Sequence, residues 1–160
     1  MKKLLSILTT VAVICCLLGV SAAADASAKV YVTVANGGLE LANSEVTVTD
    51  IDGDGALTIN DALYAAHESY FKGGAAAGYA SEMSDYGLML TKLWGIENGG
   101  SYGYYVNNAS AWSLADPVKD GDYVNAFVYQ DTKAFSDRYC YFDKAVADVN
   151  QGEKDRKSVV

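Results

Sequence analysis

The sequence predicts a small α+β domain, and three observations carry that prediction. Short runs alternate β-branched or aromatic residues with polar ones at a two-residue period, whereas one stretch, residues 59–71, repeats apolar side chains every three or four positions. Glycine, asparagine and aspartate cluster between these runs, which is turn chemistry. Composition agrees: of 160 residues, 51% are hydrophobic and 20% charged, with 15 Gly and one Pro, which suits a globular chain and excludes collagenous or low-complexity classes.

The first residues are set aside before the fold is read. Met1-Lys2-Lys3, an apolar run over 4–20, and Ser21-Ala22-Ala23-Ala24 have the basic, apolar and small-residue order of a secretory signal peptide. The run carries Thr9 and Thr10 and is short for a spanning helix of about 20 residues, so no stable membrane insertion is expected after cleavage. Ala22 and Ala24 place cleavage before Asp25, giving a leader over 1–24 and a secreted or cell-surface protein. Cys15 and Cys16 leave with the leader, so Cys140 stands alone and no disulfide framework is available. Loss of Lys2 and Lys3 takes the basic count from 12 to 10 against 20 acids, a net charge of −10. That charge repels nucleic acid and anionic lipid and favours cations.

The elements follow in order. Val30-Tyr31-Val32-Thr33-Val34 is the first strand and Asn36-Gly37-Gly38 a turn, and Val46 and Val48 alternate with polar residues in a second strand that runs into Asp50. Residues 59–71 form the one main helix through Ile59, Leu63, Ala66 and Tyr70, with Thr58 and Asp61 as a capping box and Gly73-Gly74 as its end. The small residues of 73–78 read as a flexible surface loop. Residues 88–94 and 102–106 then pair as a hairpin across Asn98-Gly99-Gly100-Ser101, residues 123–129 add a strand, and 139–142 close the sheet. The domain ends at 143, and the polar residues 144–160 form a disordered tail.

The most specific signal is Asp50-Ile51-Asp52-Gly53-Asp54-Gly55-Ala56-Leu57-Thr58-Ile59-Asn60-Asp61, which fits a twelve-residue calcium loop with carboxylates at positions one, three, five and twelve and Gly at six. Ca²⁺ takes six to eight oxygens, here from Asp50, Asp52, Asp54, the Ala56 carbonyl, Thr58 through water, and Asp61. An Asp- and Gly-rich surface turn would share this composition, but not also the inward-pointing Leu57, Thr58 and a following amphipathic helix. A strand instead of a helix enters the loop and its last ligand is Asp in place of Glu, which argues against a regulatory EF-hand pair.

The segment from Asp52-Gly53-Asp54-Gly55 to Asp61-Ala62-Leu63 resembles one calcium repeat of the dockerin modules. A second repeat fails, because Glu153 stands at the Gly position of Asp148-Val149-Asn150-Gln151-Gly152-Glu153. Asp61-Ala62-Leu63, Tyr104-Tyr105-Val106-Asn107-Asn108 and Val118-Lys119-Asp120-Gly121-Asp122 resemble the small C-terminal domain of transcobalamin and intrinsic factor, over roughly residues 29–132 with the calcium loop as an insertion. This resemblance implies a β-grasp-like mixed sheet packed on one helix, with aromatic loops at a sheet edge for an extracellular ligand or protein partner. A cobalamin-like molecule and a polysaccharide are both open.

No nucleophile elbow, zinc-protease motif, Cys-His pair or phosphate loop is present, and His67 is the one histidine, so a non-catalytic binding module is expected. The alternatives are an accessory or dockerin-like module of an extracellular polysaccharide-degrading system and a small secreted hydrolase using paired carboxylates. Trp94, Tyr104, Tyr105 and Trp112 are the aromatic candidates. Trp94 and Tyr105 are expected in the core, while Tyr104 and Trp112, flanking the Asn107-Asn108 turn, are expected to meet a ligand together with those amides.

Overall fold

The computed structural model describes residues 27–97, 99, 101–141 and 151–152. The segment 1–24 expected as a leader, most of the segment 144–160 expected as a tail, and Phe142 therefore lie outside the described residues. Among the described residues, no helix is long and apolar enough to cross a membrane.

The fold is α+β: a five-stranded mixed sheet, a two-stranded sheet and few helices. Strand β1 (Ser27–Asn36) buries Ala28, Val30, Val32 and Val34 on one face, as the two-residue pleat requires. It turns at Gly37 and pairs antiparallel with β2 (Leu39–Thr49), matching Val30 with Val46 and Ala28 with Val48. Their register shifts beyond Val32, where Asn43 takes a left-handed φ of 42° and donates its N–H to the Thr33 hydroxyl. The last strand, β7 (Tyr123–Val128), runs parallel to β1 and pairs on its other side with β5 (Tyr102–Val106), which continues through the Asn107-Asn108 turn into β6 (Ala109–Ser110). Both turn residues have positive φ, 50° and 66°, as a two-residue hairpin turn demands. The strand order is thus β2-β1-β7-β5-β6, with the parallel pair inside an otherwise antiparallel sheet, a β-grasp-like arrangement.

Helix α1 (Ile59–Tyr70) lays Ile59, Ala62, Leu63 and Ala66, all wholly buried, against β1 and β2. The expected capping box is present: the Thr58 side chain accepts from the Asp61 N–H, and the Asp61 carboxylate accepts from the Thr58 N–H at 2.8 Å and its hydroxyl at 2.7 Å. Both residues are buried, so Thr58→Ala should cost about 1 to 2 kcal/mol in urea denaturation while Thr58→Ser stays close to the parent. Tyr70, expected on the apolar stripe, is instead exposed and donates its hydroxyl to the Glu45 carbonyl.

Three expectations are corrected. Residues 73–78 are not a flexible loop, because Gly74–Gly78 forms a short helix, α2, with Ala75 and Gly78 buried. The small side chains there make a seam: a Cβ on Gly78 would lie 2.5 Å from the Phe71 ring. Residues 88–94 do not pair with 102–106, because β4 (Gly87–Lys92) pairs with an unexpected strand, β3 (Ala80–Ser84), across a tight turn. The chain then reverses at once through Trp94 and Gly95, φ 50° and 77°, closed by reciprocal bonds between Leu93 and Ile96. Residues 139–141 form no strand; Tyr139 instead lies flat on the sheet, its ring 3.9 Å from that of Tyr105.

Candidate metal centre and ligand face

The loop begins where β2 ends. The Asp50 side chain turns back over it, accepting from the N–H groups of Gly53 at 2.7 Å, Gly55 at 2.8 Å and Asp54 at 3.2 Å. Gly53 and Gly55 have φ of 77° and 87°, and open space surrounds each, so the glycines are required by backbone conformation and not by crowding. Asp54 accepts from the Ala56 N–H, and Asp52 accepts more loosely from Asp54. Through these turns Asp50, Asp52 and Asp54 each bring a carboxylate oxygen within 4.8 Å of the others.

The electrostatics suit a cation. The Gly55 N–H, assisted by those of Gly53 and Asp54, holds the Asp50 carboxyl below the usual carboxylate range. Asp52 is pushed the other way, first by desolvation and then by the negative charges of Asp54, Asp61 and Asp50. Like charges gathered on one short loop repel until a positive ion neutralises them, and oxygen donors of this hardness suit Ca²⁺ or Mg²⁺.

Asp61 and Thr58 occupy different positions from those three. Asp61 is wholly buried; one carboxylate oxygen accepts from Ile51 N–H at 3.1 Å and the other from Thr58, so it straps loop entry to loop exit and lies outside the cluster of three. Being one methylene shorter than Glu, it serves the helix cap directly behind it. Thr58 is committed to the same cap, and the Ala56 N–H to Asp54. Leu57 points inward as expected, packing on the core while its carbonyl accepts from Val118 N–H at 2.8 Å.

Asn60 is the residue that sequence reasoning passed over. It is buried, its amide nitrogen donates to Asp52 at 3.4 Å, and its amide oxygen accepts from the Tyr79 hydroxyl at 2.7 Å and the Ser81 hydroxyl at 2.9 Å. Burial pushes the Tyr79 phenol upward, so it remains a donor. Asn60 therefore joins the acidic loop to the core and to the start of β3; its position between Ile59 and Asp61 was visible, but its partners lie about 20 residues away.

The aromatic candidates separate. Trp94 is half-buried against the core beside His67 and Phe71, as expected. Tyr105 does not face the helix; alternation puts Tyr102, Tyr104 and Val106 on that side and sends Tyr105 to the opposite face, among Phe127 and Tyr139. Tyr104 packs against the core, and Trp112 is 92% exposed with its N–H on Asp116. Asn107 is spent within the fold, donating to Asp122 and accepting from Tyr123 N–H, whereas Asn108 accepts from the Tyr139 hydroxyl.

Asn107 and Asn108 border a cavity of about 880 Å³ on the sheet face opposite α1, walled by β1, β7 and the segment around Tyr139. Tyr104 and Trp112 do not line it. The alternation Tyr123-Val124-Asn125-Ala126-Phe127-Val128, aliphatic on one face and aromatic or amide on the other, was the signal for this second face.

No family model and no curated protein matches the chain. A solved structure of a candidate metal binding protein from Ruminococcus gnavus ATCC 29149 aligns at 19% identity, covering 62% of this chain and 94% of that one, with a TM-score of 0.40.

Proposed function

We propose that this domain is a calcium-stabilised, non-catalytic binding module that works outside the cell. The observation that carries the reading is the folding of Asp50, Asp52 and Asp54 around one point, with three backbone N–H groups fixing Asp50. Those carboxylates and the Ala56 carbonyl would hold the ion, with water completing its shell, while Asp61 keeps the loop ends together. A bound Ca²⁺ supplies charge neutralisation and order here, not chemistry.

A structural role fits better than a sensory one, because strand β2 enters the loop and there is no entering helix for an ion to reorient. Non-catalysis is supported by His67, whose two ring nitrogens are both engaged within the fold. Export is supported by the leader pattern of the sequence.

Calorimetric titration of the EDTA-stripped protein tests this reading. One Ca²⁺ per chain is expected, with an affinity of about 10 µM, Mg²⁺ weaker, and little change in hydrophobic-dye binding. Absence of binding heat, or a calcium-dependent rise in dye binding, would count against it.

A further inference from the structure

We propose that the cavity on the sheet face opposite α1 binds a short neutral saccharide, seated on the rings of Phe127 and Tyr139 and oriented by Asn43, Asn108 and Asn125. This rests on the reading of the domain as a binding module and adds the site and the ligand class. The cavity, about 880 Å³, is the size that takes a ligand of a few sugar rings.

Its floor is an aromatic shelf. Phe127 lies across Gly103, where a Cβ would fall 2.2 Å from the ring, so only glycine lets it lie down on the sheet. Tyr139 stacks parallel to Tyr105 at 3.9 Å and 1°, and Phe127 is inclined to the two by only 26° and 27°. A pyranose presents a face of C–H groups that packs on such rings with little loss of side-chain entropy.

The polar groups suit hydroxyls. Asn125 donates through its nitrogen to the Tyr139 hydroxyl at 3.0 Å, and that hydroxyl donates to the Asn108 oxygen at 2.9 Å. Among the described residues this leaves the Asn125 oxygen as acceptor, the Asn108 nitrogen as donor and the whole Asn43 amide without a side-chain partner, all on the cavity wall. Adjacent donor and acceptor groups match vicinal hydroxyls, each of which both gives and accepts.

Charge selects the ligand further. Among the described residues the lining carries one carboxylate, Asp137, whose oxygens accept from the N–H groups of Gln130 and Asp131, against the three carboxylates gathered at the acidic loop. Among the described residues Arg138 is the lining's one cation, in a chain of net charge −8, too little for a phosphate-bearing polymer.

The test is isothermal titration of the calcium-loaded full chain with cellohexaose, xylohexaose and mannohexaose. At least one should bind below about 1 mM, with Tyr139→Ala and Asn125→Ala each weakening it about tenfold or more and Trp112→Ala leaving it unchanged. Asn125→Ala keeps the test decisive if Tyr139→Ala fails to fold. Two results overturn the proposal: no binding by folded, calcium-loaded protein, or binding lost in Trp112→Ala and kept in Tyr139→Ala. Calcium stabilisation without saccharide binding removes this inference alone, whereas saccharide binding without any calcium response removes the calcium-stabilised reading alone.

Discussion

Replacing His67 with alanine should destabilise the domain by about 3 kcal/mol or more, because the ring fills core space and joins two segments through both nitrogens. Nδ1 lies 2.6 Å from the Leu63 carbonyl and so carries the proton, which leaves Nε2 to accept from Trp94 N–H at 2.9 Å. Trp94 holds a left-handed φ of 50°, and that acceptor helps to keep it there. Phe71, Tyr79 and Trp94 enclose the imidazole, and burial lowers its pKa from 6.5. The folded state therefore keeps His67 neutral while the unfolded chain takes up a proton below about pH 6.5, so stability falls with pH from that point down to the lowered folded value. Urea denaturation at about pH 7.5 and 5.5 should show this loss in the parent and its absence in His67→Ala. Equal pH dependence in the two proteins would contradict the assignment.

Asp50→Ala should remove most of the calcium response and leave the calcium-free protein folded. Asp50 is the carboxylate on which the loop turns, since three N–H groups converge on it, and residues 51–56 of the loop are exposed. Asp61→Ala should behave differently, destabilising the protein even without calcium, because Asp61 is wholly buried and caps α1. Melting both variants in calcium and in EDTA separates the roles. A calcium response intact in Asp50→Ala would place the ion elsewhere.

The legible parts of this fold are local ones. Val30 to Val34, the Thr58 and Asp61 box and the twelve-residue loop declare themselves because each signal is written in a few consecutive residues. The small residues of 73–78 misled because glycine serves flexible loops and tight seams alike, and only the Phe71 ring over Gly78 distinguishes them. The pairing of β4 depended on which of two turns closes, and the Trp94-Gly95 reversal, with a non-glycine residue at positive φ, has no strong signature. Asp61 was read as a ligand from its loop position and as a cap from its helix position, and in the structure it acts as the cap. The second face of the sheet was hidden by distance, since Tyr139 meets Tyr105 and Asn108 from more than 30 residues away.

Calorimetric melting of the parent protein in about 1 mM CaCl₂ and in excess EDTA tests the central claim most directly. With an affinity of about 10 µM, calcium at about a hundredfold excess over that value should add roughly 2.7 kcal/mol, a rise of about 10 °C in Tm. Superimposed transitions in calcium and EDTA would show that Asp50, Asp52 and Asp54 form an ordinary acidic turn and that calcium does not stabilise this domain.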